Sequence, residues 1–151
     1  MSFSGVKTEI SICRSSSSST WTGGGMPWVI EDAGRLSVAS GARLALGSGV
    51  VVKFGRGASL RVDGLLTTGG SSTRPVVFTS LEDDVAGGDT NVDGDATAPL
   101  KGAWDGIEVR DGGNADLTLV SLRWADDALR VLSGATTTLL GCEIERSSFR
   151  G

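Results

Sequence analysis

The stretch RLALGSGVVVKFGRGASLRV, Arg43 to Val62, decides the fold. Leu44 and Leu46 return one repeat later as Leu60 and Val62, at a sequence spacing of 16, and each pair has the form apolar-x-apolar. That form is the period-2 mark of a strand with one buried face. The pattern extends outward in both directions, to Trp28 and Ile30 before the stretch and to Val76 and Phe78 after it. With 39% of the chain apolar, eight such positions coincide by chance about 0.0005 of the time before allowing for alternative registers. A fixed spacing between strand pairs predicts a coil of stacked rungs, each burying its apolar face against the next. On this reading Leu44, Leu60 and Val76 share one column.

Composition supports an all-β coil. Glycine makes up 23 of 151 residues and proline only 3, so the glycines are no collagen-like tract. They fall between the strand-like runs, as at Gly47 to Gly49 and Gly55 to Gly57, where they act as turn punctuation. No long run repeats at helical spacing. The formal net charge of −4 opposes non-specific nucleic-acid binding, which needs a basic stripe. The absence of histidine removes imidazole zinc sites and histidine bases. Cys13 and Cys142 are the only cysteines. A stacked coil would place them near opposite ends, too far apart to bridge. No run reaches the roughly 18 apolar residues of a membrane span, so no membrane insertion is expected. No basic region followed by an apolar one marks a signal peptide. Either the chain is cytoplasmic, or it is a piece whose export signal lies elsewhere.

Residues 1–27 read as an irregular capping segment, with a strand near Val6 to Cys13 and a flexible serine loop from Ser15 to Ser19. Residues 28–151 read as the coil. A second strand face repeats beside the first, Leu36 and Val38 matching Val52 and Phe54. The next match, at Thr68 and Gly70, fails. Arg43, Lys53, Arg61 and Asp63 alternate with the apolar residues and are expected to face solvent. Further along the spacing becomes 22: Val120 and Leu122 match Cys142 and Ile144, and Ile107 matches Leu129. Phe78 and Ile107 are 29 apart whereas Leu122 and Leu129 are 7 apart. A loop of about 22 extra residues, from near Leu81 to Ala103, is therefore inserted at one corner. Neither 16 nor 22 is a multiple of six, which disfavours a left-handed hexapeptide coil and favours a right-handed parallel one. About seven rungs at roughly 4.8 Å would stand 30–35 Å tall. The run Phe149 to Gly151 reads as the middle of a rung, so a fragment of a longer coil is expected.

The stretch Gly47 to Gly70 resembles the N-terminal rungs of right-handed parallel β-helix repeat proteins of the pectate-lyase-like superfamily, of the bacterial secreted and surface type. The segment RPVVFTSLEDDVAGGDTNVDGDATAP, Arg74 to Pro99, is similar to one that such proteins carry before a Trp-x-Gly-Ile strand, here Trp104 to Ile107. The runs LTLVSLRWADDALRV and TTTLLGCEIERSSFRG resemble the generic repeat of that superfamily. The resemblance implies an extracellular or envelope location. It implies no activity, because the fold hosts lyases, hydrolases, adhesins and structural stalks.

Three groups of residues carry candidate chemistry. Asp89, Asn91, Asp93 and Asp95 alternate, with Gly94 after Asp93. That spacing sets oxygen ligands on one side of a tight turn and suits a hard cation such as Ca²⁺. The helix-loop-helix calcium motif also needs a glutamate at its twelfth position, which is Leu100 here, so Asp83 or Asp84 is expected to complete the shell. The bland alternative is a solvated loop with acidic turn formers. Asp126 and Asp127 form an acidic pair one rung beyond Asp105, the arrangement used in glycosidases and lyases. Arg110, Arg123 and Arg130 could supply the basic partner. The bland alternative is that corner charges keep the coil soluble. Trp104 and Trp124 either stack on sugar rings or fill corners beside the inserted loop, and packing is the better expectation. The leading expectation is a non-catalytic structural or adhesive module, stabilised by Ca²⁺ and contacting glycans or a cell-surface partner. The alternatives are a polysaccharide lyase or hydrolase acting on an acidic polysaccharide, and a filament unit that self-associates end to end.

Overall fold

The computed structural model describes residues 6–12, 18–23, 27–94 and 96–147. Among them there are strands and no helix, and no helix is long and apolar enough to cross a membrane. The chain is a parallel β-solenoid of about five turns, which at about 4.8 Å per turn makes a stack roughly 24 Å tall, shorter than seven rungs would give. Three strands build each turn. The opening pair is β1 (Val6–Ile12) and β2 (Ser18–Trp21). The first full turn is β3 (Trp28–Val38), which bends across two faces, and β4 (Arg43–Gly47). The second is β5 (Val51–Phe54), β6 (Ser59–Val62) and β7 (Leu65–Gly69). The third is β8 (Val76–Ser80), β9 (Gly106–Val109) and β10 (Asn114–Thr118). The fourth is β11 (Val120–Arg123), β12 (Leu129–Val131) and β13 (Thr136–Leu140), followed by β14 (Glu143–Glu145). All strand pairs are parallel and join successive turns.

The register corrects the column expected from the spacing of 16. Trp28 stands opposite Val52, and Leu36 opposite Leu60, so here one turn advances the numbering by 24. Leu44, Leu60 and Val76 lie in β4, β6 and β8, on three different faces of the coil. The apolar-x-apolar pair recurs at every eighth position, at 28, 36, 44, 52 and 60. Three such strands make one turn, so a spacing of 16 samples every second strand rather than every turn. The failed match at Thr68 has a different origin: the corner after β6 is two residues shorter than the one after β3, so Leu66, not Thr68, stands opposite Leu44. A step of 24 is a multiple of six, so residue count does not separate this coil from a hexapeptide one. The matches at a spacing of 22 hold, with Leu122 opposite Ile144 and Ile107 opposite Leu129.

The interior consists of columns along the stack. Trp28, Val52, Phe78, Leu122 and Ile144 form one. Leu36, Leu60, Ile107 and Leu129 form another. Phe54 stacks on Trp104 with ring centroids 4.2 Å apart, and Trp21 stacks on Trp28 at 3.9 Å near the first turn. Buried rings of this kind each remove about 150–250 Å² from water, which weighs heavily in a coil only three strands wide. The segment expected to be an irregular cap contributes β1 and β2 to the stack. The end of the serine run belongs to β2, where Ser19 pairs with Leu44. Cys13 lies outside the described residues, and Cys142 is a free thiol.

Candidate functional site

Residues 81–105 join β8 to β9 and form the inserted loop. The loop lies over the outer face of β5 and β8. All five residues of β8 are buried, on both faces, because the coil interior covers one side and the loop the other. Lys53 was expected in solvent; it is fully buried. Its Nζ donates to the carbonyls of Asp83 at 2.8 Å and Gly88 at 2.5 Å. Burial pushes the Lys53 ammonium below the usual lysine range, and Asp83, Asp84 and Asp89 oppose that shift electrostatically. Gly87, at φ +75°, sets its backbone against this lysine; a Cβ there would meet Pro27 Cγ at 2.5 Å, so glycine is what allows the close approach.

The acidic residues divide into two sets. Asp84, Asp89 and Asp93 converge, each offering an oxygen within 4.8 Å of the others. The Asp89 carboxylate accepts from the backbone N–H groups of Asp93 at 3.1 Å and Gly94 at 2.8 Å, which closes the turn. Asn91 Nδ2 donates to Asp93 Oδ2 at 2.9 Å, and Thr97 Oγ1 donates to the same oxygen. Asn91 Oδ1 and Asp93 Oδ1 are buried acceptors without a hydrogen-bond donor. Buried oxygens in that state carry a desolvation cost of about 1–3 kcal/mol each. A hard cation would relieve it, so these residues fit Ca²⁺ in chemistry. Asp83 points away from the cluster: Thr79 Oγ1 donates to its Oδ2 at 2.6 Å and the Val85 N–H to its Oδ1 at 3.2 Å. Asp95 lies outside the described residues.

The second region is a groove of about 410 Å³ on the outer face of β6 and β9. Asp105, Asp126 and Asp127 meet there with Arg35, Arg61, Arg110 and Arg130. Adjacent turns bring the acids together through the backbone: the Asp127 N–H donates to the Asp105 carbonyl at 3.0 Å, and the Asp126 N–H to the Trp104 carbonyl at 2.7 Å. Gly106, at φ +113°, makes this approach possible, because a Cβ would lie 1.8 Å from the Asp127 carbonyl oxygen. Loss of water, and then the neighbouring Asp126 charge, hold the Asp105 carboxyl above the usual range; Arg35 pulls it down. Arg61, Glu108 and Arg130 occupy successive rungs of one outward column. Glu108 lies 3.8 Å from both Arg110 and Arg130. Arg123 does not join this groove; it reaches Glu145 at 3.8 Å and Asp83 at 3.9 Å.

The two tryptophans are packing residues in this structure. Trp104 is fully buried and its Nε1 donates to the Arg123 carbonyl at 2.8 Å, which removes it from ligand contact. Trp124 is half-buried, and the Arg146 guanidinium covers its ring at 5.2 Å. Lys53, Arg35, Arg61 and Glu108 were not among the expected site residues. Only the true turn length would have aligned them, because their partners are set by the register between turns.

No family model matches the chain, and neither the curated proteins nor the solved structures contain a match. The class of protein rests on the strand pairing itself, a parallel β-solenoid.

Proposed function

We propose that this chain is a non-catalytic structural or adhesive module of a secreted or surface-bound protein, built as a right-handed parallel coil whose acidic insert holds Ca²⁺. The observation that carries the reading is the convergence of Asp84, Asp89 and Asp93 beside buried acceptor oxygens of Asn91 and Asp93. The right hand follows from the strong general preference of parallel crossovers. The extracellular or envelope location follows from the likeness of Gly47 to Gly70 and Arg74 to Pro99 to secreted coil proteins. The cation fastens the insert and does no chemistry. Thermal melts test this. A ligand bound only by the native form at a hundredfold excess over its Kd adds about 2.7 kcal/mol, a rise of several degrees. Added Ca²⁺ is expected to raise Tm and EDTA to reverse it. An unchanged Tm at millimolar Ca²⁺ overturns the site.

A second reading, a polysaccharide lyase or hydrolase acting on an acidic polysaccharide, is favoured by one observation: the groove collects Asp105, Asp126 and Asp127 with Arg110 and Arg130. Cleavage products from a panel of acidic polysaccharides would establish it.

A further inference from the structure

We propose that the groove over β6 and β9 binds a neutral, hydroxyl-rich saccharide chain; this rests on the adhesive reading above and names the ligand class for its contact face. The lining decides the class. Arg35, Arg61, Arg110 and Arg130 are matched in number by Asp105, Glu108, Asp126 and Asp127, so the lining carries no net formal charge to favour a polyanion or a polycation. Within it the two signs are interleaved. Arg110 lies 3.8 Å from Glu108, and Glu108 lies between Arg61 and Arg130 in its column. A chain bearing a carboxylate on every unit would set like charges against the wall formed by Asp105, Asp126 and Asp127. A neutral sugar meets no such penalty. Its hydroxyls donate to carboxylate oxygens and accept from guanidinium N–H groups, both planar arrays suited to paired oxygens.

A peptide ligand fits poorly. The apolar lining residues Leu60 and Ile107 are buried in the coil interior, so no apolar anchor is presented, and anchors of that kind dominate protein recognition. Strand addition is blocked as well. The floor strands β6 and β9 pair with neighbours on both sides, leaving no free edge to extend. The floor itself is low where Ser59 and Gly106 stand opposite each other, in the outward column that Arg35 begins and beside the column of Arg61 and Glu108, and a sugar ring would sit over these short side chains.

Calorimetry and NMR shift mapping on the intact chain test the proposal, with three probes: neutral hexose oligosaccharides, uronate oligosaccharides and an extended mixed-charge peptide. Binding of the neutral oligosaccharide, with shifts in β6 and β9 and little change between low and high salt, is the expected result. Arg35→Ala and Asp126→Asn, both at exposed positions, should each weaken it about tenfold or more, while Arg43→Ala on the third face should leave it unchanged. Preference for the uronate oligosaccharide overturns the ligand class and leaves the adhesive reading standing. Preference for the peptide, or no binding by a chain whose circular dichroism is intact, overturns the groove. Binding accompanied by release of shorter sugars supports the groove and overturns the non-catalytic reading instead.

Discussion

Lys53 occupies an alternate position of β5, where its side chain leaves the coil interior, yet it is fully buried because the insert closes over it. Its ammonium satisfies two loop carbonyls and balances nearby carboxylates. Lys53→Met keeps the aliphatic stem and removes the donor. It leaves the buried Asp83 carbonyl without its donor, at about 1–3 kcal/mol, and frees the part-buried Gly88 carbonyl, so the variant should melt several degrees lower. Limited proteolysis should cut within residues 84–103 faster than in the parent; equal cutting would mean that the lysine does not hold the loop. Asp105 is the second informative residue. Its folded pKa lies above the unfolded one, so the fold favours the protonated form. The stabilisation is complete below the unfolded pKa and is lost as pH rises through the folded one. Carboxyl NMR should find its midpoint above that of an ordinary aspartate. Asp126→Asn should lower the midpoint without restoring it fully, because loss of water is the larger cause.

At the scale of elements, the insert is an addition to a coil that is complete without it. The strands on either side, β8 and β9, pair with β5 and β6 in the register the coil requires. Removing Glu82 to Ala103 shortens the link to that of the following turn. It also uncovers Lys53 and Thr79, which are polar and suit a solvent-facing column. The deletion should therefore fold, with parallel-sheet circular dichroism retained and any Ca²⁺-dependent rise in Tm lost. Collapse to an unfolded chain would show that the loop is part of the core. The insert was legible in the sequence as a mismatch of spacing, and so was the acidic run within it. Its landing place on β5 was not, because that depends on which outward residues a folded loop can cover.

At the scale of the whole molecule, stability is a sum over turns and the contacts between neighbouring turns. Deleting Glu108 to Leu129, one full repeat at the later spacing, joins Ile107 to Arg130, and these are successive residues of the pattern because Ile107 stands opposite Leu129. The shortened chain should still unfold cooperatively, at a lower denaturant midpoint and with a smaller m-value, since m follows the surface exposed. Denaturation that breaks into separate steps would show that the turns are not interchangeable. The groove belongs to this scale as well. Its acids come from the third and fourth turns and Arg35 from the first, so no single strand carries a recognisable motif.

Alternating apolar residues, glycine corners and scarce proline dictated a stacked parallel β-coil from the sequence alone, because one-sided burial at every second residue is a local property. Turn length was a different matter. A pattern that returns at every eighth position is equally compatible with two, three or four strands per turn, and only backbone pairing between Trp28 and Val52 or Leu36 and Leu60 selects three. That choice in turn decided which charges share a column, why Lys53 is buried and where Asp105 meets Asp127, since residues far apart along the chain become neighbours only through the register of the closed coil.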